Sequence, residues 1–401
     1  MPASRIGDPS ECTGCGACAA VCPAGAIVLE PGEEGFRYPR LDEGKCTGCG
    51  RCGDVCTRTL NLFHAAPDSI FAMTHRDGKV KRKSSSGGVF YALAEAVLAD
   101  GGAVCGAAVD PDLIVRHRLV FSRDELEPLL GSKYVQSDVS GVWRKIRALL
   151  KEGRTVLFTG TPCQVAAARA ILPEPLAERL LTCDLLCYGT PSPAILSGYL
   201  GSLERRYGAK AAGICFRDKK HGWRDYSMAV RFDNGRLYRR DKWSDPFSVG
   251  FQKHLTIAPA CYRCPYRGGR RVGDITLGDF WDFQERFTRG AIIDDRSGIS
   301  FVSVNSAKGE KLFSAIRTAG NAEKRSPAEA AKNYGLDADF RMDIPAERDG
   351  FFRLMILDGF DAASERYLKP IRRNRPLRKR VVLFLRRFYT IRKIYRLIRR
   401  A

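Results

Sequence analysis

The sequence predicts a mixed fold of the α+β / α/β class: a small cysteine-rich module, a larger mixed α/β body and a basic C-terminal amphipathic helix. Three observations lead there. Eight of the fifteen cysteines fall between Cys12 and Cys56 in two runs of equal spacing. Beyond them, short apolar runs end in Gly/Pro turns and pass into helical patterns. From Ile371 to Ala401 there are thirteen Lys or Arg and no Asp or Glu. The expected division is 1–66 for the module, 67–150 and 151–340 for the two parts of the body, and 341–401 for the tail.

The first run is Cys12-x2-Cys15-x2-Cys18-x3-Cys22 and the second is Cys46-x2-Cys49-x2-Cys52-x3-Cys56. A cubane needs four thiolates converging from a short loop. Two-residue steps bring three of them round one cluster, and the fourth, a helical turn on, reaches across to the other. The spacing therefore predicts a bacterial-type dicluster ferredoxin domain with two 4Fe–4S clusters. Cys12, Cys15, Cys18 and Cys56 hold the first, and Cys46, Cys49, Cys52 and Cys22 hold the second. Gly14, Gly16, Gly48 and Gly50 let the backbone fold closely and turn amides toward sulfur. Ala26 to Leu29, between the halves, reads as a strand. Zinc sites also use two-residue steps, but not three such cysteines and then a three-residue step, twice over. Pro23 follows the first run, whereas Thr57 stands where the second would have its proline.

In the body, the basic, small-residue loop 81–88 leads into a helix from Val89 to Leu98. A Ser/Gly turn at a helix start presents amides where the macrodipole is positive, a seat for phosphate, although serine there also serves as a plain cap. Thr155 to Phe158 reads as a strand, followed by the turn Gly160 to Gln164 and a helix from Val165 to Ile171. Leu180 to Leu186 repeats the pattern before Cys187. Turns at the carboxyl ends of strands are where α/β proteins place ligands.

Six segments, SSSGGVF (84–90), GSKYVQS (131–137), GTPCQ (160–164), CYGTPSP (187–193), CYRCP (261–265) and DITLGDFW (274–281), occur in that order. This set resembles the family of coenzyme F-420 hydrogenase/dehydrogenase beta subunits. The resemblance implies a flavoprotein oxidoreductase that holds FAD beside a further 4Fe–4S cluster. It passes electrons to or from a deazaflavin-like coenzyme, a chlorophyll precursor or another two-electron substrate. It puts Ser86, Gly87, Gly88 and Lys133 near the flavin, with Gly160, Thr161, Pro162 and Gln164 as a second wall. It gives the third cluster Cys163, Cys187, Cys261 and Cys264, with Cys183 as the competing ligand. Cys183, Cys105 and Cys215 otherwise read as packing. His221, in a polar loop, is the candidate catalytic proton donor. Trp223, Trp243 and Trp281 read first as core aromatics and second as flavin-stacking rings.

Function classes follow. The expectation is an oxidoreductase working with a redox partner protein or a small-molecule two-electron substrate. The alternative is a non-catalytic electron-transfer subunit serving a partner enzyme. Fifteen cysteines point to a reducing compartment. Met1 to Ser10 hold no hydrophobic run, so a cytoplasmic location is expected. The net charge of +21 belongs mostly to the tail; without it about +8 remains. Leu377, Val381, Phe384, Phe388, Ile391, Tyr395 and Ile398 form one apolar stripe opposite Arg and Lys, which suits an anionic membrane surface. No nucleic-acid reading motif accompanies the charge, so nucleic acid is not an expected partner.

Overall fold

The computed structural model describes residues 8–65, 69–281, 292, 296–326, 328 and 342–371. The chain divides into two units, 1–369 and 370–401. The stripe proposed for the basic tail lies outside the described residues.

The module carries the internal repeat openly. Helices α1 (Ala17–Val21) and α2 (Arg51–Asp54) each start on a glycine of positive φ, Gly16 at 74° and Gly50 at 76°. Strands β1 (Ile27–Pro31) and β2 (Arg37–Leu41) pair antiparallel, Ile27 opposite Leu41.

The body is built on one eight-stranded mixed sheet. Its strands are β3 (Ser69–His75), β4 (Ala103–Val109), β5 (Val115–Val120), β6 (Val156–Thr159), β7 (Leu180–Leu185), β11 (Ile275–Asp279), β12 (Ser300–Val304) and β13 (Gly320–Arg325). They lie in the order β13-β3-β12-β11-β7-β6-β4-β5. β4, β6, β7 and β11 are parallel neighbours, and β3 runs with them because β12 is antiparallel to both β11 and β3. Both expected parts of the body contribute strands to this sheet. A separate antiparallel meander comprises β8 (Ala211–Asp218), β9 (Ser227–Phe232) and β10 (Leu237–Asp241).

After β3 the short helix α3 (Gly78–Lys83), capped by the Asp77 carboxylate on Lys79 N, leads to the Ser/Gly turn. Strand alternation decides which core each side chain joins. Val104, Leu157 and Cys183 face one layer, covered by helix α4 (Val89–Ala99) through Val89, Leu93 and Val97. Ala103, Cys105, Val156 and Phe158 face the other. That layer receives Trp143, Ile146 and Leu150 of α5 (Trp143–Lys151), at i, i+3 and i+7, and Val165 to Ala168 of α6 (Pro162–Ala170). Ala17 and Cys15 of the module pack into this second layer.

Further contacts fasten the module down. Arg348 grips Glu34 through two guanidinium nitrogens at 2.7 and 2.5 Å. Ser192 Oγ donates to Glu34 O at 2.5 Å, and Tyr266 OH to Thr57 O at 2.7 Å. Arg37 N donates to Gln136 Oε1 at 2.7 Å. The helices Arg348–Leu357 and Gly359–Tyr367 were expected within the tail beginning at 341. They belong to the first unit: Phe360 and Met355 pack at Gly198 of the helix Pro193–Tyr207. Among the described residues no helix is long and apolar enough to cross a membrane.

Candidate iron–sulfur and cofactor site

Cys12, Cys15, Cys18 and Cys56 come together under the body. Burial pushes the Cys12 thiol up to about 12, with Cys15 and Cys56 as charged neighbours adding to it. Burial likewise raises Cys15 and Cys18, each with Cys56 nearby. Such a nest of desolvated thiols favours the thiolate only when a metal supplies the positive charge. Cys22, Cys46, Cys49 and Cys52 line a second concavity with Ile27, Leu41 and Arg51. Here Cys46 and Cys49 are exposed. The Arg51 amide, with Thr47, holds the Cys49 thiol below its ordinary value. Ala26 N donates to Cys22 Sγ at 3.2 Å.

The scattered cysteines converge because β6 and β7 are parallel and in register, Phe158 opposite Thr182. The chain after each strand therefore leaves from the same edge of the sheet. Cys163 stands at the start of α6 and Cys187 two residues beyond β7. Cys261 and Cys264 lie in the turn Pro259 to Cys264. Arg271 donates to Tyr266 O at 2.9 Å and to Leu185 O at 2.9 Å, and Arg267 to Tyr188 O at 3.0 Å. Those bonds close this turn over the edge. Burial raises the Cys163 thiol most, and Cys264, Cys187 and Cys15 add to it as charged neighbours. Burial pushes Cys187 up to about 11 and Cys264 up to about 12, each also feeling Cys261. Donors already point at these sulfurs: Thr161 Oγ1 lies 3.1 Å from Cys163 Sγ and Gly189 N 3.4 Å from Cys187 Sγ. Cys183 does not join them. Its side chain enters the opposite layer of the sheet and its charged neighbours are Asp184 and Asp274.

Among the described residues no three His, Cys, Asp or Glu side chains close on the point a single ion would occupy. A cubane instead holds its thiolates apart by the width of the cluster. The residues present fit cubanes through the chemistry of the donor sets, all thiol, in three groups of four.

The expected flavin residues divide. The turn 84–88 and the segment 131–137 adjoin, Ser85 Oγ lying 2.7 Å from Ser132 Oγ. Several of the expected contacts are spent inside the protein. Ser86 Oγ donates to Ile299 O at 2.7 Å, and Gly87 N to Ser300 Oγ at 2.9 Å. A Cβ at Gly87 would sit 2.4 Å from Met73 O, so close backbone packing alone requires glycine there. Pro162 and Gln164 are buried and Gly160 packs on Phe158. Gln164 accepts from Thr161 N at 3.0 Å and donates to Ser137 Oγ at 2.9 Å.

Two features fit an anionic cofactor. Gly88 starts α4 without a side-chain cap, leaving the first-turn amides uncapped. Lys133 Nζ donates to Leu130 O at 2.8 Å, and no carboxylate faces it among the described residues. Burial pushes its amine down to about 7. A desolvated ammonium without a counter-charge favours an anion beside it.

His221 sits on an exposed turn, where its carbonyl accepts from Arg296 Nη2 at 2.6 Å. Trp223 is buried and stacks on Trp281 at 4.7 Å, so those rings serve each other. Sequence reasoning passed over His117. It stacks on Phe158, its Nε2 lies 3.1 Å from Thr159 O and its Nδ1 3.0 Å from Ser137 Oγ. Burial lowers its pKa to about 4, so it is neutral at physiological pH. The carbonyl then requires the proton on Nε2, Ser137 donates to Nδ1, and Gln164 donates to Ser137. This chain orients the turn that carries Cys163. A lone strand histidine gave no signal of it; the basic run Arg267–Arg271 was the visible trace of the groups closing the cysteine turn.

Residues 153–330 match the family described as the C terminus of the coenzyme F420 hydrogenase/dehydrogenase beta subunit, and residues 11–59 match the 4Fe-4S dicluster domain. The F subunit of the F(420)H(2) dehydrogenase of Methanosarcina mazei is 27% identical over 190 residues, 44% of this chain and 53% of that protein. The match thus spans about half the length of that curated relative. A solved structure, the xenon-derivatised F420-reducing NiFe hydrogenase complex from Methanosarcina barkeri, is similar with a TM-score of 0.45 at 16% identity, covering 78% of this chain and 97% of that one. By its two matched segments the chain is an iron–sulfur protein, an N-terminal 4Fe–4S dicluster domain joined to a body of the family of coenzyme F420 hydrogenase/dehydrogenase beta subunits.

Proposed function

We propose that the chain is an FAD- and iron–sulfur-dependent oxidoreductase subunit with a linear relay. When bound, the clusters supply one-electron steps and the flavin a two-electron exchange with a substrate or deazaflavin-like coenzyme. The observation that carries the reading is the nearness of Cys163, Cys187, Cys261 and Cys264 to one another, with Cys15 of the dicluster module beside Cys163. Tyr266 spans the gap, with Cys163, Cys15 and Cys264 all among its neighbours. The exposed loop with Cys46 and Cys49 is the end open to a partner, and the buried set lies between it and the body. Lys133 would hold the anionic part of the cofactor. It is also the better-placed proton-bearing group, because His221 lies on an exposed turn.

The second reading, a non-catalytic electron carrier for a partner enzyme, draws on the same exposed loop and on the matched relative, which is itself named as one subunit of a dehydrogenase. Its tail would bring the chain to an anionic membrane surface, and deleting 372–401 should then abolish vesicle binding at low salt. Protein purified without oxygen should release about one FAD per chain on denaturation. Iron-replete, folded protein devoid of flavin would leave only the electron-carrier reading. Turnover of a two-electron substrate by the purified chain alone would exclude that reading in turn.

A further inference from the structure

Two polar hydrogens next to the first cysteine set have no use inside the protein. Thr57 is 4% exposed, and its Oγ1 lies 3.8 Å from Cys15 Sγ. A thiolate only accepts, so with Cys15 ionised on iron the Thr57 hydroxyl is the donor. Tyr266 holds the Thr57 carbonyl, which fixes this backbone. Trp143 is 3% exposed, and its Nε1 has no hydrogen-bond partner among the described residues. An indole nitrogen can only donate. It lies against the Cys15–Cys18 loop: a Cβ at Gly16 would stand 3.2 Å from it. A buried orphan donor in a native structure calls for a missing acceptor, and the acceptors absent at that place are cluster sulfurs.

We propose that Thr57 Oγ1 and Trp143 Nε1 donate hydrogen bonds to sulfurs of the first cluster, so that the larger body sets that cluster's reduction potential. The proposal rests on Cys12, Cys15, Cys18 and Cys56 being cubane ligands. The electron gained on reduction spreads onto the sulfurs, so donors there favour the reduced form and raise the potential. Thr57 occupies the position where the first run has Pro23, and proline offers neither a hydroxyl nor an amide hydrogen. The repeat's one departure from its pattern thereby acquires a role. The second cluster lacks the counterpart of Trp143: a Cβ at Gly48, the equivalent of Gly14, and the exposed cysteines beside it meet open space. Both residues are positioning groups for the potential and take no part in substrate chemistry.

The test is an EPR-monitored redox titration of the full-length, anaerobically purified protein and its Thr57→Val, Thr57→Ser and Trp143→Phe variants. The first-cluster signal is the one whose g values change in Cys18→Ser. At the potential that half-reduces the wild-type first cluster, Thr57→Val and Trp143→Phe should raise its oxidised-to-reduced ratio about three- to tenfold, tenfold being about 59 mV for one electron. Serine should restore the wild-type ratio, and the second-cluster signal should not move. Unmoved first-cluster potentials in iron-replete variants would overturn the proposal. Absence of cubane signals from the wild type would instead overturn the cluster reading beneath it. Should a variant fail to load iron, the wild type decides. With ¹⁵N-indole tryptophan and deuterated solvent, the reduced first cluster should show nitrogen and exchangeable-hydroxyl couplings, and their absence would sink the idea.

Discussion

The two halves of the cysteine repeat have equal spacing and opposite surroundings. At Gly14 a Cβ would strike Arg37 O at 2.3 Å, and at Gly16 it would meet Leu29 and Trp143; at Gly48 nothing lies within 4 Å. Burial raises Cys12, Cys15 and Cys18, while Cys49 is held down by exposed local amides. Local spacing therefore decides which cysteines can share a cluster. What surrounds the cluster comes from elsewhere: Val139 and Trp143 at the start of α5, Gln136 before it, and Tyr266 far beyond. A repeat duplicates ligands without duplicating their environment.

The largest expected effect extends the comparison to the third set. Replacing Cys261 and Cys264 by serine should lower the iron content by about four from about twelve per chain. An unchanged content, with the wild type at about eight, would reassign those cysteines to packing. A chelator or oxygen pulse should next separate the halves. The second-cluster signal should vanish well before the first, because Cys46 and Cys49 are open to solvent. Simultaneous loss would mean that the contrast in exposure has no chemical consequence.

A smaller effect is expected at Lys133. Its amine, at about 7, is charged below that pH and neutral above it. FAD affinity should therefore fall as the pH rises through about 7, and Lys133→Met should weaken it by about ten- to a hundredfold, the worth of a charged hydrogen bond. Equilibrium dialysis against pH would show the flat profile that contradicts this. The smallest effect concerns docking. Arg348 and Glu34 have side chains 6% and 26% exposed. Glu34→Gln should cost about 2–3 kcal/mol of stability, discounted from a fully buried pair, and a thermal melt would read it.

The dicluster module was legible because its ligands are neighbours in sequence, and β6 and β7 because apolar runs stop at Gly/Pro turns. The meeting of Cys163 with Cys187 needed the parallel register of those strands as well. What stayed hidden depends on tertiary contact. Gln164 looked like a cofactor contact from its turn, yet both ends of its amide are used by Thr161 and Ser137. Ser86 and Gly87 looked free in a helix-start loop, yet β12 and the chain before it take their hydrogen bonds. The helices after residue 347 looked like part of a tail because the charge run beyond them dominates the local composition.

The most direct test is rapid one-electron reduction of the full-length, FAD-loaded protein, following iron–sulfur and flavin absorbance together in the wild type and in Cys261→Ser/Cys264→Ser. The account predicts that the dicluster module is reduced equally in both, with flavin reduction following in the wild type and lost in the variant. Flavin reduction at the same rate in both proteins would contradict a relay through the third cysteine set.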